Sequence, residues 1–100
     1  MNDRFLTTLG LARRAGKLCY GTDQVTMTPG VLLLLYAADC APRTERNIIR
    51  LAEERKILLI RVPHTKEQIG YAIGTKPVGV LGINERGFAN KLVELIEGGI

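Results

Sequence analysis

Apolar residues along this chain switch repeatedly between helical spacing and short continuous runs, and the switches predict the order of elements. Phe5, Leu6, Leu9 and Ala12 recur at helical spacing, with Arg13 and Arg14 in the expected last turn, where cations favour the negative end of the helix dipole. Gly16 follows, suited to the left-handed conformation of a C′ position, so Lys17 to Tyr20 can leave as an extended segment. Gly21 and Thr22 end that segment. Thr22 or Asp23 is placed to cap a second helix, which Pro29 and Gly30 hold to little more than two turns. Val31 to Ala38 is continuous rather than alternating in its apolarity, as in a strand covered on both faces, and it is expected to be the most buried strand.

The second half repeats the alternation. After the polar turn from Asp39, Pro42 suits the first turn of a third helix, and Ile48, Ile49, Leu51 and Ala52 keep helical spacing to about Arg55. Ile57 to Ile60 with Val62 reads as a neighbouring strand closed by Pro63. Thr65 and Gln68 have the spacing of a capping box, opening a helix through Ile69, Ala72 and Ile73 that Gly74 stops. Thr75 to Pro77 is then a loop. Val78, Val80, Leu81 and Ile83 form a last strand that Gly79 and Gly82 would loosen, and Asn84 is the expected cap of a final helix bearing Phe88, Leu92, Leu95 and Ile96. The order αβαβαβαβα, without repeat or linker, predicts one α/β domain over residues 1–100: a three-layer α/β/α sandwich around a four-stranded mixed sheet.

Composition narrows the class. One hundred residues, 46% hydrophobic and 24% charged, suit a single folded domain, and a formal net charge of +4 mildly favours an anionic partner. Cys19 and Cys40 lie in or beside apolar runs and lack zinc-site spacing, so both are expected to be reduced, buried thiols, with no metal and no cofactor. The first residues lack an apolar leader core, and the longest apolar run, Val31 to Ala38, falls short of the roughly twenty residues of a membrane span, so the expected location is the cytoplasm, with no membrane partner.

Catalytic signals are thin. His64 is the one histidine, in an expected loop, and a Cys19 or Cys40 pairing with it has only chance composition behind it. No enzyme is predicted. Arg43, Arg46 and Arg50 line one stripe of the third helix, but Glu45, Glu53 and Glu54 interleave with them, which reads as a solvated face. The start of the second helix remains: its free N–H groups beside Gly21, which has no side chain to obstruct approach, make a site for anionic oxygen.

Five segments in order, LARRAGKL, the GT at 21 and 22, LLLLYAADCAP, KEQIGYAIG and ERGFANKL, together resemble the ribosomal protein L7Ae/L30e family, and within it the bacterial YlxQ-type L7Ae-like RNA-binding proteins. The resemblance covers nearly the whole chain and implies the sandwich that periodicity predicts independently. It also implies a small, non-catalytic, monomeric RNA-binding protein of the translation apparatus that recognises kink-turn or related structured RNA, with the ribosome as a candidate assembly. Members of the family present a Gly-x-Asn-Glu-x-x-Lys pattern, which here reads Gly21, Thr22, Asp23, Gln24, Val25, Thr26, Met27. Gly21 matches, and the Gln24 amide can still bond a base edge. Asp23 replaces an amide with a carboxylate that cannot donate and repels phosphate, and Met27 removes a cation. The family's second contact region falls on Lys66, Ile73, Lys76, Pro77 and Val78, where cations reach phosphate and apolar groups cover an extruded base. An alternative stays open: a protein-interaction module on the same fold with a degenerate RNA site.

Overall fold

A computed structural model describes residues 3–98. Five helices and four strands alternate: α1 (Arg4–Arg14), β1 (Leu18–Tyr20), α2 (Thr22–Met27), β2 (Leu33–Tyr36), α3 (Pro42–Arg55), β3 (Leu58–Arg61), α4 (Lys66–Ile73), β4 (Val80–Ile83) and α5 (Arg86–Gly98). The local stop signals act as their chemistry dictates. Gly16 has φ 73° after α1, and the N–H of Lys17 returns to the Ala12 carbonyl at 2.9 Å, closing the last turn. Thr65 and Gln68 form a complete capping box on α4, which Gly74 ends at φ 81°.

The strands form one mixed sheet in the order β1-β4-β2-β3, with β4 antiparallel to both β1 and β2, and β2 parallel to β3. Two apolar layers close on its faces, which makes the expected three-layer sandwich. Phe5, Leu9 and Ala12 of α1, Ile69 and Ile73 of α4, and Ala89 and Leu92 of α5 meet Leu33, Leu35, Leu81 and Ile83 on one face. Val25 of α2 and Ile48 and Ala52 of α3 meet Cys19, Leu34 and Val80 on the other.

Three expectations need correction. The strand expected over Val31 to Ala38 spans only Leu33 to Tyr36, and Leu32 is 43% exposed, because it lies at the sheet end beside the exposed Leu58 of edge strand β3. Both interior strands are covered, and β4 is the one buried at every residue, because β2 ends on Tyr36, which is half-buried. Gly82 does not loosen that strand: a Cβ there would stand 2.8 Å from the Cys19 Sγ and 3.3 Å from the Val31 Cγ1, so glycine is what lets β4 and β1 lie under α2. The cap of α5 is Glu85, whose Oε1 accepts from the Phe88 N–H at 2.8 Å, while the expected Asn84 instead donates its backbone N–H to the Lys17 carbonyl.

Candidate functional site

Strand directions decide where the predicted site residues meet. β1, β2 and β3 run the same way and β4 runs against them, so the carboxyl ends of three strands and the amino end of β4 share one end of the sheet. α2, α3 and α4 each start from that end. Backbone hydrogen bonds tie its connections together: Gly21 N–H to Val80 O (3.0 Å), Ala37 N–H to Gly79 O (2.9 Å), Ala38 N–H to His64 O (2.9 Å) and Val78 N–H to Lys66 O (3.1 Å). A set of linked loops at one sheet end, with several helix starts around it, is a common place for binding.

The opening of α2 differs from the expected capping. Neither Thr22 nor Asp23 caps it; both lie inside the helix, and the N-cap is Gly21 at φ 88°, ψ 146°, a conformation that L side chains rarely adopt. No side chain therefore closes the first turn, and its N–H groups stay open to solvent or ligand. Gln24 is exposed and its Oε1 accepts from the Tyr20 N–H at 3.4 Å, which holds the amide oxygen against the free side of edge strand β1 and leaves the NH₂ to donate elsewhere. The acceptor role of Oε1 follows from this bond. Asp23 is exposed in the first turn, and Met27 is 81% exposed, so nothing in the fold demands a thioether there.

The second region divides. Gly70 permits a close approach, since a methyl there would run into the Lys76 carbonyl and stand 2.9 Å from the Pro77 Cα; the segment after α4 therefore runs back along that helix toward Lys66. Lys76 and Pro77 are exposed on this segment, and Lys66 is half-buried at the sheet end. Ile73 and Val78, expected as the apolar cover of an extruded base, are 4% and 8% exposed and belong to the core beneath α1 and α5. Ile73 faces inward because α4 turns that side to α1, and Val78, in the connection after α4, joins the same core, so both support the segment from below instead of lining its surface.

Charge at this end is mixed. The Asp39 carboxylate accepts from the Lys66 N–H at 2.8 Å, and Arg61 donates to the Ala38 carbonyl at 2.8 Å. Burial, followed by the neighbouring Glu45 carboxylate, raises both the Tyr36 phenol and the Cys40 thiol above their ordinary values, which keeps both groups protonated. Cys40 is half-buried rather than buried as expected, while Cys19 is buried and donates weakly to the Gly82 carbonyl at 3.6 Å. His64 pairs with neither thiol. Its Nε2 donates to Asp3 Oδ2 at 2.7 Å and its ring stacks on Phe5 with centroids 5.0 Å apart, an anchor between α1 and the start of α4 that residue spacing did not reveal. Among the described residues, no three of His, Cys, Asp and Glu gather as metal ligands, and no helix is long and apolar enough to cross a membrane.

The fold recurs among known proteins. A Bacillus subtilis (strain 168) protein named RNA-binding protein YlxQ is 29% identical over 92 residues, covering 89% of this chain and 91% of its own. A solved protein of unknown function from Bacillus halodurans superposes with a TM-score of 0.86 at 29% identity, over 96% of this chain and 99% of that one. The Giardia lamblia 15.5kD RNA binding protein shares the fold at a TM-score of 0.73 and 17% identity, over 100% of this chain and 93% of its own. The model of the ribosomal protein L7Ae/L30e/S12e/Gadd45 family matches residues 3–93, and the chain belongs to that family.

Proposed function

We propose that residues 1–100 form one L7Ae/L30e-like domain that acts as a monomeric, non-catalytic RNA-binding protein of the cytoplasmic translation apparatus. Its target is kink-turn or related structured RNA, with the ribosome as a candidate assembly. Gly21, Thr22, Asp23, Gln24 and Met27 meet the bent backbone and its base edges, and Lys66, Lys76 and Pro77 meet the neighbouring strand, with Ile73 and Val78 supporting them from the core. The observation that carries this reading is the uncapped opening of α2 beside the exposed Gln24 amide, at the end of the sheet where the Lys66 connection also arrives. The B. subtilis relative, whose name describes an RNA-binding protein, supports it.

The test is fluorescence anisotropy with a kink-turn hairpin and an unbent duplex of equal length. The parent should prefer the hairpin and Gln24→Ala should erase most of that preference; equal binding to both RNAs, unaffected by Gln24→Ala, refutes the reading. Asp23 and Met27 favour the second reading, an interaction module with a degenerate RNA site. That reading expects a partner protein retained after ribonuclease treatment.

A further inference from the structure

The arginines of α3 are the largest set of exposed cations that the proposed site does not use. Arg43, Arg46 and Arg50 are all exposed, lie three and four residues apart on one stripe, and make no ion pair or side-chain hydrogen bond among the described residues. Three other arginines are engaged by the fold: Arg13 donates to the Ile73 carbonyl, Arg55 to the Thr26 carbonyl at 2.6 Å, and Arg61 to the Ala38 carbonyl at 2.8 Å.

The intrachain energetics run against the stripe. Cations spaced three and four apart on a helix repel one another, and Arg43 sits in the first turn, where a positive charge opposes the helix dipole. Glu45, which interleaves with them in sequence, lies beside Tyr36 and Cys40 at the sheet, off the stripe. Glu53 and Glu54 follow Arg50 by three and four residues, one turn on, yet neither forms an ion pair with it among the described residues. With no bond to the fold among the described residues, the three guanidinium groups are free to meet an anion outside the chain. α3 starts at the sheet end that carries Gly21 and Gln24, so the stripe leads away from that end for about 10 Å at 1.5 Å per residue.

We propose that Arg43, Arg46 and Arg50 form a phosphate-tracking surface along which a duplex stem flanking the bound RNA bend lies, a surface that rests on the reading of the sheet end as an RNA site. Guanidinium groups on flexible stems suit this role, because they neutralise backbone phosphates without reading sequence. The stripe supplies affinity and orientation, and Gln24 and its neighbours supply recognition of the bend.

The experiment compares the parent, Gln24→Ala and the triple variant Arg43→Gln/Arg46→Gln/Arg50→Gln on a short-stemmed kink-turn hairpin and on two versions in which each stem is lengthened in turn, across a salt titration. One lengthened stem should bind the parent more tightly and with a steeper salt slope. The triple variant should lose that gain, with the slope falling by about two to three units, and its melting temperature should be no lower than the parent's. If the parent binds none of the RNAs, the reading of the sheet end and this surface both fail. If the parent binds and Gln24→Ala weakens it, while the triple variant matches the parent at every stem length, the surface alone is wrong. An acidic protein captured after ribonuclease treatment by the parent and not by the triple variant, with unchanged RNA slopes, would assign the stripe to a protein partner and overturn the proposal.

Discussion

Restoring the two missing contacts on α2 should strengthen RNA binding, and the structure sets the scale. Met27 is 81% exposed, so Met27→Lys places its ammonium in solvent without disturbing the core, at a stability change within about 0.5 kcal/mol. One further neutralised phosphate steepens the salt slope by about 0.9 unit, or roughly eightfold in affinity at 0.1 M salt relative to extrapolated 1 M. Asp23→Asn removes a carboxylate from the uncapped first turn and adds a donor facing the RNA, a gain of about 1 kcal/mol or roughly fivefold. That substitution also forfeits about 0.3 to 1 kcal/mol of favourable interaction with the dipole of the same helix, so the double variant should melt slightly earlier while binding more tightly. Anisotropy with a kink-turn hairpin between 50 and 200 mM salt reads both effects, with circular dichroism as the folding control. A folded double variant whose affinity and salt slope equal the parent's would show that this end of the sheet is not an RNA site.

The remaining predictions concern the fold that holds the site. Leu33, fully buried in β2 between α1 and α5, should cost about 2 to 5 kcal/mol on Leu33→Ala, measured by urea unfolding; a loss under 1 kcal/mol would contradict its place in the core. Gly82→Ala should destabilise by about 1 to 3 kcal/mol through the contact with Cys19, and Cys19→Ala in the same chain should recover part of that loss; a double-mutant cycle without coupling would refute the contact. Burial alone would raise the Asp3 carboxyl, but the bonds from His64 and the Leu6 N–H outweigh it, and its folded value lies below the ordinary 3.8. The stabilisation is therefore fully present above the unfolded value and fades as pH falls through the lower folded one, so a stability profile measured from pH 6 to pH 2 should flatten at its acid end in Asp3→Asn, and an unchanged profile would count against the pair.

Element order and fold class were legible because their signals are local. Helical spacing in α1, α3 and α5, the capping box at Thr65 and Gln68, Pro42 at a helix start and Gly74 at a helix end are each written within a few residues. The family resemblance was legible for another reason: short segments keep their order along one chain. Gly21 could be singled out because a glycine before a helix is a local signal, whereas Gln24 was reached only through its place in the family's pattern.

Only the tertiary structure decided the rest, because periodicity reports that a position is buried without naming what covers it. A continuous apolar run could not tell that β4 is buried at every residue while β2 ends on the half-buried Tyr36, since both are interior strands and the difference lies in what packs over them. Ile73 and Val78 carry the same apolar side chains whether they face solvent or the core, and only the packing of α4 and of the connection after it turned them inward. Asp3 and His64 meet across 61 residues, and Cys19 and Gly82 across 63, distances over which one sequence holds no signal. The arginine stripe reads as a solvated face until the fold sets Glu45 against Tyr36 and brings the start of α3 to the same sheet end as Gly21, since relative placement of charges arises only when separate elements pack on one sheet.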